Sequence, residues 1–519
     1  MKKKKGYLSG AGILAAAVVF AKVLGAAYRI PLANMIGAEG MGLYQFVYPV
    51  FALLLTLSSG SVPTAVSISV SELVSQNREE EAKKFFSTAL KISLLIGLGG
   101  SLLLASIAYP VSLLQSKEAF LGYLTISPAV LIVTLVSAFR GWFTGHGDLL
   151  PSSLSQLTEG VVKIGVGLLL THLLLPYGLP FAVVGALAGV TTSELVTLLI
   201  MAIIYRKKHK NFLFVSLREE KPRLQKLGKI MLPLILCGMI LPLSQFIDSL
   251  LIVNLLKLSG SESATADYGV WTGMVSPLIN LPVMVCISLG IAVTPQMVES
   301  RTQGDVEMIL KKSDTSVKLT FFLGIPFMIV YLIMAEKILG LLYPGVVGAR
   351  LTTAAVLLRI NAVSVLGLSL FQIYSAMLQG LERIKVPVKI MALSMTVKLL
   401  LSLILTPLFG IVGAAIASTA GNLLAGCWIT VYFVHFTRLE KRLIKNVSLI
   451  VLCGAIMGML IFLTNEMQSS IVGVALVGIA AAILYFVAVL VFGVFSQEEW
   501  KAMPLSGLFT KLDKKINGG

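Results

Sequence analysis

Lys22 and Arg29 stand seven residues apart inside the first long apolar stretch of the chain, Tyr7 to Met35. At about 100° per residue they return to one helix face, two turns apart. A cation at the centre of a bilayer costs roughly 2.5–3.5 kcal/mol on insertion scales, so such residues face a bundle interior or a watery cavity. Two on one stripe make a polar surface that can receive something negative. The other cations deep within apolar stretches are Arg140, Lys163, Arg359 and Lys398, set against the acids Glu159, Glu194 and Asp248. This surplus suits an anionic group such as a pyrophosphate, which ammonium and guanidinium groups hold by charge-assisted hydrogen bonds. It does not suit a cavity built for organic cations.

Each of these residues also has a plainer reading. Arg29 precedes Pro31 near the end of its stretch and can snorkel to an interface, whereas Lys22 sits too near the middle for that. Glu159 and Lys163 are four residues apart in the favourable order for a helical ion pair, which glues helices as readily as it touches a ligand. Lys398 has Ser394, not an acid, four residues before it. Arg140 and Arg359 anchor near span ends or join the site, and Glu72 reads as an interfacial, solvated carboxylate. Asp248 and Glu194 are the candidates for ion coupling or for pairing the two halves of the chain; register sets Asp248 beside Lys22.

Composition names the medium. The chain has 519 residues, 56% hydrophobic and 13% charged, with a mean hydropathy of +0.91. Apolar runs of about 20 residues, each able to cross roughly 30 Å of hydrocarbon, recur throughout. The expected fold is an all-α polytopic membrane protein of about fourteen transmembrane helices; the period-two alternation of a membrane barrel is missing. Met1–Lys5 followed by apolar residues has the charge order of a signal peptide, but Lys22 and Arg29 interrupt the stretch and further spans follow. A retained first span is expected.

With the N-terminus inside, the inner loops and tails hold 30 Lys/Arg, against Lys117, Lys257, Arg350 and the borderline Lys337 outside. Both termini are therefore expected in the cytoplasm. The net charge of +17 is explained by these anchors beside anionic lipids, without nucleic acid. Cys237, Cys286, Cys427 and Cys453 lie in apolar spans without paired spacing and read as small buried hydrophobes. His146, His172, His209 and His435 are scattered, and neither a zinc motif nor a Walker A loop occurs. No cofactor, metal or catalytic residue is expected, and the chain reads as a transporter rather than an enzyme.

The basic loop 206–229 divides the chain. Gly145, Pro151 and Lys163 are answered by Gly380, Pro387 and Lys398, with 18 residues from Gly to Lys in both copies. Val184-Gly185-Ala186 is answered by Val412-Gly413-Ala414, and Gly42…Pro49…Pro63 more loosely by Gly269…Pro277…Pro295. The expected organisation is an N-lobe of six spans (1–205), the inter-lobe loop (206–229), a C-lobe of six (230–436), two additional spans (437–495) and a cytoplasmic amphipathic tail (496–519). Six spans per copy make the two lobes parallel repeats.

The segment Arg140-Gly141-Trp142-Phe143-Thr144-Gly145-His146, followed by Pro151, Ser155-Gln156, Glu159 and Lys163, resembles the signature of the stage V sporulation protein B family. That family belongs, with the lipid II flippases, to the multidrug/oligosaccharidyl-lipid/polysaccharide (MOP) exporter superfamily. Lys22-Val23-Leu24-Gly25 is similar to the flippases' first-span motif, and Gly37-Ala38-Glu39-Gly40 through Tyr44 to their following turn. The resemblance implies two six-helix lobes in a V around a central cavity. It further implies alternating access and export of a polyprenyl-pyrophosphate-linked saccharide across the bacterial cytoplasmic membrane. Lys22 and Arg29 would then contact the pyrophosphate, a groove by the last two spans would take the lipid tail, and envelope polymer synthases would be partners. One departure is visible: Tyr44–Val70 and Val270–Val298 hold no basic residue, where lipid II flippases carry arginines. The rival readings are a cation-coupled multidrug exporter on the same fold, working through Asp248 or Glu159, and a non-transporting membrane scaffold.

Overall fold

The computed structural model describes residues 2–208, 221–437, 442–465, 470–496 and 499–500; the side chains of 2–23, 26, 221–226, 229, 233, 237, 442–446 and 471 lie outside that description. Among the described residues there are helices and no strands. In chain order they are α1 (Lys2–Ser58), α2 (Val62–Ser75), α3 (Glu79–Leu114), α4 (Phe120–Gly145), α5 (Leu149–Leu174), α6 (Leu179–Lys208), α7 (Lys221–Gly238), α8 (Ile240–Leu258) and α9 (Ala264–Gly269). After a π-helical turn at Val270–Val275 come α10 (Ser276–Thr302), α11 (Val306–Leu342), α12 (Ala349–Ala362), α13 (Ser364–Gly380), α14 (Lys385–Thr437), α15 (Arg442–Leu463) and α16 (Ile471–Val491). Gly37 (φ 66°, ψ −172°) breaks α1 into two legs, and Gly410 (φ 61°, ψ −143°) does the same to α14. Only glycine takes such a backbone without steric cost. Among the described residues eleven segments are long and apolar enough to cross a membrane, and Val447–Leu463 is a shorter one. Counting legs, this matches the fourteen expected spans of a multi-pass membrane protein.

The helices are patterned for lipid. On α3, Leu102 is 62% exposed while its neighbour Ser101 is 9% exposed. Ser101 Oγ donates to Ser127 O at 2.7 Å and accepts from Leu131 N at 3.1 Å, tying α3 to α4. With hydrocarbon outside, burial of apolar bulk gains nothing, so small and hydroxylated residues take the interior and leucines face out. Between α5 and α6, a Cβ at Gly189 would lie 2.2 Å from Gly167 Cα, and one at Gly185 2.6 Å from Leu170 O. These contacts bring the α5 backbone, and the polar residues on it, close to α6.

The chain forms two compact units: 1–274 with 406–411, and 275–405 with 412–519. Within each, the repeated glycine does the same work. A Cβ at Gly145 would meet Val70 Cβ at 2.8 Å and Ser67 O at 3.0 Å; one at Gly380 would meet Met297 Cβ at 2.7 Å and Thr294 O at 2.8 Å. Val70 and Met297, like Ser67 and Thr294, are 227 positions apart. The two glycines, and the left-handed Gly147 and Glu382 after them, are 235 apart. Glu382 lacks glycine's freedom, but its carboxylate pairs with Arg301 at 2.5 Å.

In the second unit α15 and α16 pack on α11, and the chain end is clasped there. Lys318 Nζ, buried, lies 2.9 Å from both Asp314 Oδ2 and Glu499 Oε1. Thr315 Oγ1 donates to Glu499 Oε1 at 2.9 Å and Ser496 N to Glu499 Oε2 at 2.7 Å. Two expectations change. Trp500, which falls in the expected amphipathic tail 496–519, is buried against Phe486 and Phe495, next to the clasped Glu499; residues 501–519 lie outside the described residues. Cys427 is exposed on α14, while Cys286 and Cys453 are buried as expected; the Cys237 side chain is outside the description.

Burial alone would raise the Glu499 carboxyl, but the Ser496 N–H, the Lys318 ammonium and the Thr315 hydroxyl outweigh it and hold it below the usual carboxylate range. A lowered folded value means that this group's stabilisation is present above the ordinary carboxylate range and disappears as pH falls through the folded value. Glu499→Ala leaves a buried ammonium short of a partner and is expected to cost about 3 kcal/mol locally. Hydrogen exchange should then rise in α16 and the 492–500 segment, at neutral pH in the variant and at acid pH in the wild type. Unchanged protection in the variant would rule the clasp out.

Candidate functional site

The break at Gly37 folds α1 back on itself and brings its two legs side by side. Arg29, on the first leg, has its guanidinium 5.8 Å from the ring centre of Tyr48 on the second. Lys163, on α5, places Nζ 5.5 Å from the same ring and 5.7 Å from that of Tyr28. One tyrosine thus bridges two cations from different helices, each within the range at which a ring face attracts positive charge. Tyr44 stacks on Tyr48 with centroids 5.7 Å apart, and Tyr48 meets Phe51 edge-on at 6.1 Å. Tyr28 is buried, and its hydroxyl donates to Ala186 O at 3.4 Å across to α6. Gly167 makes room for that ring, since a Cβ there would lie 2.7 Å from the Tyr28 hydroxyl.

A second layer completes the cluster. Arg140 Nη2 lies 2.9 Å from Glu159 Oε2, and Arg140 Nε donates to Ser155 Oγ at 2.9 Å. The guanidinium therefore spans one turn of α5 from α4. Glu194, on α6, is buried within electrostatic reach of Glu159, Arg140 and Lys163. Its Oε2 accepts no hydrogen bond from the described residues. Three cations and two carboxylates, from four helices, share this part of the first unit.

The sequence-level candidates fare differently. Arg29, Arg140, Glu159, Lys163 and Glu194 come together. The α1 helix runs through Lys22, but that side chain lies outside the described residues. The spacing of Glu159 and Lys163 suggested a pair within α5; instead Glu159 meets Arg140, whose planar fork satisfies the carboxylate and Ser155 together, and Lys163 turns to the tyrosines. Asp248 is buried on α8, within electrostatic reach of Tyr268. Lys398 belongs to the second unit, buried on α14 with Gly421 against its side chain. Arg359 is half-buried on α12. Tyr28, Tyr44 and Tyr48 escaped the reading of charges. The spacing of Tyr44 and Tyr48, four residues apart with Tyr28 adjoining Arg29, was the signal available. Among the described residues no group of three or more His, Cys, Asp or Glu is placed to hold a metal.

The model of the family described as "Polysaccharide biosynthesis protein" matches residues 7–301, more than half of the chain. The chain belongs to that family. Residues 233–404 match the MatE family as well. Stage V sporulation protein B of Bacillus subtilis (strain 168) is 29% identical, over 97% of this chain and 99% of its own. Lipid II flippase MurJ of the same organism is 25% identical, over 92% and 94%. Among solved structures, lipid II flippase MurJ in an inward closed conformation superposes with a TM-score of 0.71 at 17% identity, covering 92% of this chain and 98% of that one. An inward-facing multidrug resistance MATE family transporter of the MOP superfamily gives 0.66 at 16% identity, covering 81% and 96%. Family and fold make the protein a multi-pass membrane member of the polysaccharide biosynthesis family.

Within this family member the Arg140–Glu159 bridge is a contact that removal of either partner breaks. A double-mutant cycle on Arg140→Ala and Glu159→Ala should show a coupling of about 1–2 kcal/mol, the range for a charge-assisted pair that is only partly shielded from water. The same cycle on Lys163 and Glu159 should show less. Thermal unfolding in detergent measures both, and the opposite ranking would contradict the geometry.

Proposed function

We propose that this protein is a flippase for a polyprenyl-pyrophosphate-linked saccharide, a cell-envelope precursor of the lipid II class, in a bacterial cytoplasmic membrane with both termini cytoplasmic. The observation that carries the reading is the sharing of Tyr48 by Arg29 and Lys163. Two cations held on one ring from two helices offer a multiply charged anion more than one point of attachment. Neutral aromatic faces beside them offer a surface for a sugar. Arg140 is already engaged by Glu159 and Ser155, so its part in the site is to hold α4 and α5 together and to add field, with one face of its fork left for the ligand. Lys22, seven residues before Arg29 in the sequence, would extend the cationic stripe, and Lys398, the repeat counterpart of Lys163, would serve in the other lobe.

The lobes 1–205 and 230–436 would rock about the loop 206–229 and carry the head group from inside to outside. The spans within 437–495 accommodate the lipid tail. No bond is made or broken, so the work lies in differential binding of the two end states. Membrane potential can bias the cycle, each charge moved through 100 mV being worth about 2.3 kcal/mol. Glu194 and Asp248 are the residues through which an ion gradient would act. Synthases of the envelope polymer would take the product. The names of the curated relatives, a sporulation protein and a lipid II flippase, point the same way. The match of 233–404 to the MatE family favours one rival, a cation-coupled drug exporter.

Binding of undecaprenyl pyrophosphate to the purified protein in nanodiscs separates the two. Arg29→Ala and Lys163→Ala should each weaken it about tenfold or more, since a hydrogen bond to a charged group is worth about 1.5–3 kcal/mol. Tyr48→Leu should weaken it severalfold and Tyr48→Phe little, because the ring face and not the hydroxyl holds the cations. Wild-type protein that ignores the pyrophosphate lipid and binds lipophilic cations in an Asp248-dependent way would replace the flippase with the exporter.

A further inference from the structure

The turn that ends α4 is built around a histidine that faces two acceptors. His146 N donates to Trp142 O at 3.2 Å, and Gly147, at positive φ, turns the chain so that Asp148 N reaches Phe143 O at 2.9 Å. The imidazole faces the start of α3. Its Nδ1 lies 3.0 Å from Trp142 O, and its Nε2 lies 3.1 and 3.3 Å from the two carboxylate oxygens of Glu79, the first residue of α3. A carbonyl oxygen has no proton to give, and neither has a carboxylate, the form that a helix N-terminus favours. A neutral ring owns one N–H and one lone pair, so it would aim that lone pair at one of the two acceptors. Only the imidazolium donates in both directions. The Trp142 ring, its centroid 4.1 Å from that of the imidazole, is close enough to favour the cation.

Most neighbouring charges are paired among themselves. At the start of α3, Arg78 pairs with Glu81 at 2.6 Å and Lys83 with Glu80 at 3.0 Å. On α6, Lys208 pairs with Asp148 at the entrance to α5, and Tyr205 packs on Trp142 within electrostatic reach of Glu79. Arg140, on α4 itself, is engaged by Glu159. Val70 and Ser67 bring α2 against Gly145, and the carboxylate of α2, Glu72, is exposed within reach of Arg78. From α7, Leu227 and Met231 join the cluster around Trp142; the side chains of Lys221, Arg223, Lys226 and Lys229 lie outside the description. Among the described residues, Glu79 is the acid bonded to the ring.

The second unit builds the same corner from groups that do not titrate near neutrality. By the 235-residue offset, Leu381 stands where His146 does, Glu382 where Gly147 does and Arg383 where Asp148 does. Glu382 pairs with Arg301 at 2.5 Å, and the Arg383 guanidinium lies 5.1 Å from the ring centre of Phe436. Phe436 is the counterpart of Lys208 by the 228-residue offset that relates Val184-Gly185-Ala186 to Val412-Gly413-Ala414. One turn, present twice in the chain, carries a histidine tie in one copy and permanent guanidinium ties in the other.

We propose that His146 is a proton-binding latch that ties the end of α4 to the start of α3, and that this corner loosens when the proton leaves while the repeated corner of the second unit stays tied. Histidine changes charge between about pH 5 and 8. Both bonds need the imidazolium, so their stabilisation is complete at the acid end of that window and is lost as pH rises through it. Helix α5 begins at Leu149, three residues after His146, and carries Ser155, Glu159 and Lys163. The latch thus regulates the helix that presents the candidate site. That consequence rests on the flippase reading; the latch itself does not.

The test uses the full chain in nanodiscs, without substrate. Hydrogen exchange, corrected for its intrinsic pH dependence, is followed at 76–82 and 142–150 and, as the internal control, at 378–388. From about pH 5.5 to about pH 8.5, protection should fall at least tenfold at the first corner and less than twofold at the second. His146→Gln should be as open at acid pH as the wild type is at alkaline pH, and His146→Lys, a cation at both, should stay protected. An equal fall at the two corners, or a tenfold fall in either variant, would overturn the latch. In proteoliposomes at about pH 8.5, translocation of a pyrophosphate-linked saccharide lipid should differ at least threefold between wild type and His146→Lys. Equal rates would overturn the regulation of the site. The expected exchange pattern in a protein that translocates no such lipid would keep the latch and reject the flippase.

Discussion

Hydrocarbon offers no partner to a charge, and that constraint organises the first unit. Every ionised group inside the spans must find its solvation in the protein. Glu159 finds it in Arg140, Arg140 also in Ser155, and Arg29 and Lys163 in the face of Tyr48. These solutions differ in what they leave open. A carboxylate–guanidinium bridge is nearly saturated, whereas a cation resting on a ring keeps its N–H groups free for a ligand. The arrangement thus separates residues that hold helices together from residues that can exchange partners.

Close backbone approach makes those partnerships possible. Gly167, Gly185 and Gly189 bring α5 against α6, so that Glu194 reaches the neighbourhood of Glu159 and Lys163. Gly145 and Gly380 repeat one contact in the two units, and Gly42 with Gly269 puts the repeats' own counterparts in contact. In a membrane such small-residue contacts replace the hydrophobic drive that assembles a water-soluble core. The polar clusters at His146 and Glu499 add direction at the helix ends, where packing alone would allow sliding.

Much of this was legible in the residues. Charges inside apolar runs stand out, so Arg29, Arg140, Glu159, Lys163 and Glu194 could be named before their contacts were seen. The spacing of Gly145 to Lys163 and Gly380 to Lys398 exposed the repeat because a glycine forced by backbone contact leaves a fixed mark. What could not be read was rotation and adjacency. Helix spacing favoured Lys163 for Glu159, but Arg140 comes from another helix whose turn about its axis no local pattern fixes. Tyr48 carries no charge and looks like any interfacial aromatic until two cations are found on it. The 227-residue offset announced that Gly42 and Gly269 were equivalent, yet equivalence does not imply touching.

The central claim is that the cations gathered on Tyr48 read a pyrophosphate and pass it across the membrane. Its most direct test is the rate at which head groups change sides in proteoliposomes, compared for a pyrophosphate-linked saccharide lipid and its monophosphate counterpart, in wild type and Lys163→Ala. Wild-type protein should move the pyrophosphate lipid at least tenfold faster than the monophosphate, and Lys163→Ala should lose most of that preference. Equal rates for the two lipids, or a Lys163→Ala variant as fast and as selective as wild type, would contradict it.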